Sequence, residues 1–263
     1  MEKIANRVLV SFDDICPYQC KHCYTLDIQR ENGNRSMNDI ISSIENQTFD
    51  IVYISQRREN FVNPDMGIEL CERIFERYHC NIFLITRNVF ESKHIVRLKK
   101  LKAQMSSIGK KLFVGVSVFA TQSYSKSENP HLVPSPYARI KFLSLLGEEE
   151  VDTITIIRPI FPQKIVPIEE LYEIVDLCKG LKTCIVASGL AVNEHILWRL
   201  GIDSADLKYI DDVHYLEGAM EGEFKFVDVS KELSLLKEYC EMRGILFFEH
   251  TIQAINFWAT CGG

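Results

Sequence analysis

Apolar and polar positions along the chain follow two alternating patterns. Short runs rich in β-branched and aromatic residues are separated by longer stretches in which apolar residues recur every three or four positions. The short runs predict strands at 8–12, 51–55, 82–86, 112–119, 153–158 and 183–188. Successive runs start roughly 30 to 45 residues apart, which is the length of a βα unit whose return crosses a helix.

Helix boundary signals fall between the predicted strands. A proline lies in the first turn of three predicted helices, and a glycine ends three. Proline is common at the start of helices and glycine at their end. These residues are Pro64, Pro136, Pro167, Gly109, Gly147 and Gly180. Six successive βα units predict an α/β fold with a parallel sheet and helices outside.

A partial (β/α)6 TIM-type barrel is favoured, because a closed barrel of eight units would need more chain. A doubly wound open sheet has the same element order and stays open as the alternative. In either arrangement the carboxyl ends of the strands form the reaction face.

The pattern changes after Gly201. The stretch 203–226 is acidic and irregular, and it is followed by a predicted helix at 230–243 and a short predicted strand at 245–248. No linker rich in Gly, Ser or Pro intervenes. We therefore predict a core at 1–200 and a C-terminal α+β extension at 201–263 that packs on it.

Composition narrows the functional class. The 263 residues are 46% hydrophobic and carry a formal net charge of −6 with a pI of about 5.7, which argues against a protein that coats nucleic acid. No signal-peptide pattern and no apolar run of about 20 residues is present, so we expect a cytoplasmic protein with no membrane segment. Nine cysteines, an odd number, do not suggest a disulfide framework.

Three of the cysteines form the sharpest motif in the chain. Cys16, Cys20 and Cys23 have CxxxCxxC spacing and follow the first predicted strand directly. Thiolates are soft ligands that suit zinc and iron–sulfur clusters. A closed zinc site needs four protein ligands, whereas a cluster on three thiolates leaves one metal position open. A zinc loop with a remote fourth ligand, or three unrelated buried cysteines, are the alternatives.

This loop resembles the CxxxCxφC loop of the radical S-adenosylmethionine (SAM) superfamily, with His22 at the usually aromatic position φ and Tyr24 after the last cysteine. The resemblance implies a [4Fe–4S] cluster on the three cysteines and SAM chelated to its fourth iron. One electron, from a donor such as flavodoxin or ferredoxin, then cleaves SAM to methionine and a 5′-deoxyadenosyl radical that takes hydrogen from the substrate. The (β/α)6 partial barrel is also the core fold of that superfamily.

Further residues follow from the same resemblance. The Gly-Gly-Glu motif that often binds the SAM ammonium is absent, and Ser55, Gln56 or Glu59 would accept from the ammonium instead. The segments 127–139 and 155–162 resemble the spore-photoproduct-lyase-like branch, which implies that Ser117 and Arg139 bind the SAM carboxylate. Arg158 would flank the adenine or the substrate.

The sequence indicates less clearly which residues contact the substrate. Candidates are Tyr18, Tyr24, His250, Asn256, Trp258 and Cys261. Of these, Tyr24 and Cys261 are the predicted catalytic residues. A thiol at Cys261 would return hydrogen to a product radical, and the alternative is a tail thiol without a role.

The sequence therefore predicts a radical SAM enzyme that acts on a small-molecule or nucleotide-like substrate. Repair or modification of a nucleic-acid base is the alternative within the enzyme class, so nucleic acid is a possible but not favoured partner. A non-catalytic zinc or iron–sulfur regulatory protein is the alternative from another class.

Overall fold

A single parallel sheet organises the fold. The computed structural model describes residues 4–12, 16–26, 35–55, 58–210 and 224–261. The main-sheet strands are β1 Arg7–Val10, β2 Ile51–Ile54, β3 Asn81–Thr86, β4 Leu112–Ser117, β5 Asp152–Ile157, β6 Thr183–Ala187 and, near the C-terminus, β10 Phe247–Phe248. Their spatial order is β1-β2-β3-β4-β5-β6-β10, and every neighbouring pair is parallel.

The remaining elements are eight α-helices in the described residues and a small second sheet. The helices are α1 Met37–Ser42, α2 Pro64–Tyr78, α3 Ser92–Ser107, α4 Pro136–Glu148, α5 Ile168–Cys178, α6 Glu194–Leu200, α7 Ser230–Arg243 and α8 Thr251–Cys261. The second sheet is antiparallel, in the order β7-β9-β8, from β7 Ala191–Val192, β8 Tyr209–Ile210 and β9 Lys225–Val227.

The strand order decides between the two predicted architectures. A doubly wound sheet reverses its strand order at a switch point. Here each of the first six strands lies beside its neighbour in sequence, with no reversal. The partial TIM-type barrel is therefore confirmed, and the doubly wound alternative is wrong for this chain.

Helix boundaries follow the sequence signals closely. The Asn63 side chain accepts from the Met66 N–H at the start of α2, where Pro64 is the first helical residue. Ser135 caps α4 in the same way, accepting from the Ala138 N–H. The prediction that Gly147 ends α4 is off by one residue, since the helix runs to Glu148.

The predicted strands are too long at their carboxyl ends. The first ends at Val10 rather than residue 12, and the fourth ends at Ser117 rather than residue 119. The Val118 N–H still bonds to the Ile156 carbonyl at 2.9 Å, and the chain then leaves the sheet. The apolar residues that follow Ser117 stay buried after the chain has left the sheet. Their hydrophobicity therefore made the predicted strand longer than the observed one.

The barrel interior is filled partly by the C-terminal helix. Ala254, Ile255 and Ala259 of α8 pack into a buried cluster with inward-facing strand residues. Those strand residues are Ile51, Tyr53, Phe83, Phe113, Ile154, Ile156, Cys184 and Val186. Asn256 also bonds to the Ile4 backbone, with its Oδ1 accepting at 2.9 Å and its Nδ2 donating at 3.0 Å.

The C-terminal region is joined to the barrel through β10 and α8. The predicted strand at 245–248 is shorter in the structure and adds to the edge of the main sheet beside β6. The division at residue 200 into a core and an extension stays a prediction. Within the described ranges, no helix is both long enough and apolar enough to cross a bilayer.

Candidate functional site

A cavity of about 850 Å³ opens at the carboxyl ends of the strands. Its wall includes Ser55 after β2, Ser117 at the end of β4 and Arg158 after β5. Cys16, Cys20 and Cys23 line the same cavity. The predicted metal-ligating loop therefore lies on the face where parallel α/β folds place their reactive groups.

The cysteine loop has a defined conformation. The Cys23 N–H bonds to the Cys20 carbonyl at 2.9 Å, and Gln19 adopts a left-handed φ of 44°. Cys20 is buried, and its neighbours Cys16 and Cys23 are half-buried and pack with Tyr18. The three thiols are thus presented from one tight turn into one cavity.

Two other segments hold this loop in place. The Lys21 N–H donates to the Ser127 carbonyl at 2.8 Å. From α6, the Arg199 Nε donates to the Lys21 carbonyl at 2.9 Å and its Nη2 to the Cys23 carbonyl at 3.0 Å. The two bonds from Arg199 give the carbonyls of Lys21 and Cys23 a hydrogen-bond partner.

The donor chemistry of the loop fits an iron–sulfur cluster. Three thiols share one cavity, although no three potential ligands in the described part of the chain converge into a formed metal site. Burial raises the pKa of the Cys20 thiol to about 12, and a bound metal would deprotonate it. A structural zinc site would need a fourth protein ligand beside the three cysteines, whereas a cluster on three thiolates leaves one iron open.

A fully buried ion pair lies behind the loop. The Glu128 carboxylate accepts from Arg139 Nη2 at 2.7 Å and from Arg87 Nε at 2.8 Å, and the side chains of Glu128 and Arg139 are both 0% exposed. Burial alone would raise the pKa of Glu128, but Arg139 and Arg87 together hold it below its ordinary value. Glu128 therefore stays charged between two guanidinium groups.

His22 connects this pair to the cysteine loop. Its Nδ1 is hydrogen-bonded to the Ser127 hydroxyl, and its ring packs edge-on against Phe119 and Phe161. Burial lowers the pKa of His22 to about 3, so the imidazole is neutral at physiological pH. We call His22, Arg87, Ser127, Glu128 and Arg139 the loop-side network.

A second carboxylate, half-buried at the cavity wall, lies close to Arg87. Glu59 accepts from the Arg87 backbone N–H at 2.6 Å, from the Thr86 hydroxyl at 2.9 Å and from the Phe61 N–H at 3.1 Å. Burial raises its pKa. Both Glu59 and Arg87 line the cavity, so this carboxylate fixes the end of β3 at the cavity wall.

The structure separates the two predicted ligands of the SAM carboxylate. Ser117 is 2% exposed and lines the cavity, and its carbonyl accepts from Arg139 Nη1 at 2.7 Å. Arg139 is 0% exposed and does not line the cavity, because Glu128 occupies its guanidinium. Its role as a direct SAM ligand stays a prediction that this burial does not support.

The predicted ammonium ligands are only partly described. Ser55 lines the cavity in a left-handed conformation with φ of 71°. Its hydroxyl donates to the Arg58 carbonyl at 2.5 Å and accepts from the Asn60 N–H at 2.8 Å. Gln56 lies outside the described residues.

The substrate-end candidates are divided between the cavity and the barrel core. Tyr18, Tyr24, Arg158 and His250 line the cavity. Asn256 and Trp258 do not, since they belong to the part of α8 that packs against the barrel. The side chain of Cys261 lies outside what the structure describes. The catalytic roles of Tyr24 and Cys261 stay predictions.

Sequence reasoning missed three arginines that matter to the cavity. Arg87 and Arg7 line it, and Arg199 fastens the cysteine loop from α6. A signal for Arg87 was present, because it follows the last residue of β3 directly, at the reactive ends of the strands. Arg199 had none, because its contact spans 178 residues of sequence.

Comparisons with known proteins find solved structures with the same fold but no sequence family that matches the chain. No family model matches the chain, and neither does any curated protein. The structure of SuiB from Streptococcus suis bound to S-adenosylmethionine superposes with a TM-score of 0.58 at 16% identity, covering 98% of this chain and 53% of that one. A second SuiB structure gives a TM-score of 0.55 at 13% identity, covering 98% of this chain and 51% of that one.

A radical SAM methyltransferase from Sphaerobacter thermophilus gives a TM-score of 0.60 at 14% identity, over 93% of this chain and 65% of that one. This chain thus spans about half to two thirds of the length of these structures. At such identities the likeness concerns the fold, and the chain has the partial-barrel fold that a radical SAM methyltransferase also has.

Proposed function

We propose that this protein is a radical SAM enzyme. The observation that carries the proposal is the position of one loop: Cys16, Cys20 and Cys23 line a cavity at the carboxyl ends of a parallel partial barrel. A protein with the same fold has been solved with S-adenosylmethionine bound, which makes SAM a natural ligand for this cavity. The metal-binding chemistry of the thiols and the position of the cavity at the strand ends both support this function.

In this proposal the three thiolates hold a [4Fe–4S] cluster. When bound, the cluster supplies the electron that cleaves SAM to methionine and a 5′-deoxyadenosyl radical. The chain's own residues orient the loop and shield it from water. Arg87 is charged and within electrostatic range of Cys20, so it offsets negative charge on the thiolates. Its bond to Glu128 within the loop-side network keeps the Arg87 guanidinium in position.

SAM would lie along the strand ends beside the loop. Ser117 and the Ser55 region line this part of the cavity and offer hydroxyl and backbone groups to the methionine moiety. Gln56 remains a candidate for the ammonium, and Arg158 for the adenine or the substrate. The narrower kinship with the spore-photoproduct-lyase-like branch rests on sequence motifs alone, and the solved structures with this fold do not support it.

The cavity size bears on the substrate. At about 850 Å³ it lies within the range of small-molecule sites, roughly 300–1,000 Å³. SAM together with a small or nucleotide-like substrate fits this scale. The electron donor would be a flavodoxin or ferredoxin, and the location cytoplasmic. A nucleic-acid substrate would show steep salt dependence of binding, and the acidic charge of −6 does not favour it.

The test is an anaerobic assay of reconstituted, dithionite-reduced protein with SAM, in which 5′-deoxyadenosine is measured by liquid chromatography. We expect product from the wild type and none from Cys20→Ala. Cys71→Ala is the matched control, because Cys71 is a buried cysteine of α2 outside the cavity, and it should retain the activity.

Two results would contradict the proposal. One is equal product from the wild type and Cys20→Ala. The other is zinc without iron or sulfide in protein reconstituted anaerobically with all three, since that metal content would indicate a regulatory zinc protein.

A further inference from the structure

Two arginines line the cavity together with the first residue of α8. These arginines are Arg7 from β1 and Arg158 after β5. Thr251, the first residue of α8, lines the same space. The chain as a whole carries a net charge of −6, so this local positive charge runs against the overall balance.

The start of α8 presents polar groups to the cavity. The first N–H groups of a helix have no acceptor within the helix, and they carry the positive end of the helix dipole. Thr251 is 3% exposed, and its hydroxyl has no hydrogen-bond partner in the described part of the chain. A buried hydroxyl without a partner is destabilising, so its presence at a cavity wall indicates a ligand that completes it.

Arg158 belongs to the same group of residues. Its Nη2 donates to the carbonyl of Glu249 at 3.1 Å. Glu249 lies two residues before the first residue of α8, so the guanidinium lies beside the start of this helix. A helix N-terminus beside an arginine is an arrangement that binds carboxylates and phosphates, because both supply N–H donors and positive charge.

Arg7, the first residue of β1, lines the same cavity. Its Cζ lies 5.5 Å from the centroid of the Tyr53 ring, which is 0% exposed. The Tyr53 hydroxyl has no hydrogen bond of normal geometry within the described ranges, although both Arg7 and Arg158 are within electrostatic range of it. Arg7 from β1 and Arg158 just after β5 thus both act on one buried phenol.

The backbone ties Arg7 to α8 as well. Ile4, three residues before Arg7, exchanges two hydrogen bonds with Asn256 of α8. Glu249, the carboxylate nearest in sequence to α8, is exposed and lines the cavity too. The described part of the wall here thus combines two arginines and a helix N-terminus with one carboxylate.

We propose that Arg7, Arg158, Thr251 and the N-terminus of α8 form a subsite for an oxyanion group, a carboxylate or a phosphate, carried by the substrate. The word substrate rests on the proposed function, while oxyanion binding stands on these residues alone. Arg7 lies three residues before the end of β1, about 10 Å along the strand from the point where the chain leaves the sheet toward the cysteine loop.

The experiment titrates inorganic phosphate and, separately, acetate into the protein without added cluster or SAM, at constant ionic strength set with chloride. The readout is the midpoint of thermal unfolding, which rises with any ligand that binds only the folded state. We expect a saturable rise in the wild type with an apparent Kd in the millimolar range. The anion that binds more tightly identifies the oxyanion as phosphate or carboxylate.

Arg158→Gln and Thr251→Val are the test variants. We expect the apparent Kd to weaken about tenfold for Arg158→Gln and about threefold for Thr251→Val, as charge-assisted bonds outweigh neutral ones. Arg77→Gln is the matched control, because it removes the same charge from an exposed residue of α2 paired with Glu45. It should leave the titration unchanged.

Two results would overturn the subsite: no saturable rise in the wild type, or wild-type affinity in Arg158→Gln, Thr251→Val and Arg7→Gln alike. Circular dichroism checks that each variant folds, and Arg7→Gln replaces Arg158→Gln if that variant does not. A failed titration beside normal 5′-deoxyadenosine formation would reject only the subsite. Phosphate binding without 5′-deoxyadenosine would reject only the proposed function.

Discussion

The cysteine loop and the C-terminal helix are both fixed to the barrel, but by different kinds of contact. Behind the loop, charged and polar side chains of the loop-side network form directional bonds in a largely buried setting. Inside the barrel, α8 packs through Ala254, Ile255 and Ala259 against apolar strand residues. Polar networks specify one geometry, whereas apolar packing stabilises with less directional demand.

That difference assigns separate tasks to the two regions. The loop must present three thiols at fixed positions, and a buried carboxylate between two arginines holds its neighbours in a single arrangement. Helix α8 fills space and covers the interior, and only its first turn reaches the cavity. Changes in the network should therefore affect metal retention and stability together, while changes in the buried part of α8 beyond its first turn should affect stability alone.

Glu128→Gln should have the largest effect. Removing this carboxylate leaves Arg139 buried without its countercharge, which costs about 3–5 kcal/mol of unfolding free energy. It also frees Arg87, so less iron should remain bound after anaerobic reconstitution. Urea unfolding and iron analysis measure the two effects. Glu45→Gln, which breaks the exposed Arg77 pair, should cost below about 1 kcal/mol and keep the iron.

Ile255→Ala tests the other region. Ile255 is 0% exposed in the barrel interior, and truncating it leaves a cavity that costs about 3 kcal/mol. Iron content per folded chain should stay at the wild-type level, because α8 does not contact the cysteine loop through this residue. Loss of iron from folded Ile255→Ala would show that the two regions are coupled.

Gly115→Ala tests how tightly the barrel interior is filled. A Cβ at this position would meet the Phe83 ring at 2.8 and 2.9 Å, which is closer than carbon atoms pack. Overpacking of this kind costs about 1–3 kcal/mol. Gly147→Ala is the control in α4, where the nearest atom is 3.8 Å away and the gain in helix propensity stabilises by about 1 kcal/mol. Thermal unfolding should separate the two variants in opposite directions.

The smallest effect concerns the loop after β4. Glu170 accepts from the backbone N–H groups of Thr121, Gln122 and Ser123 and from the Ser123 hydroxyl. Burial would raise its pKa, but these bonds hold the pKa below the ordinary 4.5. The carboxylate therefore stabilises the fold fully above pH 4.5, and this contribution is lost as the pH falls through the lower folded pKa.

Replacing Glu170 by Gln should remove that pH dependence. We expect Glu170→Gln to cost about 1 kcal/mol near neutral pH and nothing below the folded pKa, because the wild-type carboxyl is then also uncharged. Urea unfolding at a series of pH values from neutral to acidic measures this. A constant difference between the two proteins across the series would contradict the role of the charge.

The sequence predicted the fold well where the signals are local. Strand positions, the helix starts at Pro64 and Pro136, and the cysteine loop could be read from short windows. The partial barrel followed from counting βα units, and the strand order confirmed it. The carboxyl ends of strands were too long because loops at the reactive face are themselves buried and apolar.

The site was harder to predict because its contacts are long-range. Arg139 carries the charge expected of a carboxylate ligand, but the carboxylate it meets is that of Glu128. No local pattern distinguishes a guanidinium that faces a ligand from one that faces a neighbour. Arg7 begins a strand, and its place on the cavity wall depends on Tyr53 and α8, which lie far along the chain.

The proposed binding of SAM to a cluster is tested most directly by paramagnetic resonance of the reduced, reconstituted protein with and without SAM. We expect a [4Fe–4S] signal that changes when SAM is added, because three thiolates leave one iron open to it. Cys20→Ala should lose the signal, and Cys71→Ala should keep both the signal and its response. A cluster signal that SAM leaves unchanged in the wild type would show that this protein is not a radical SAM enzyme.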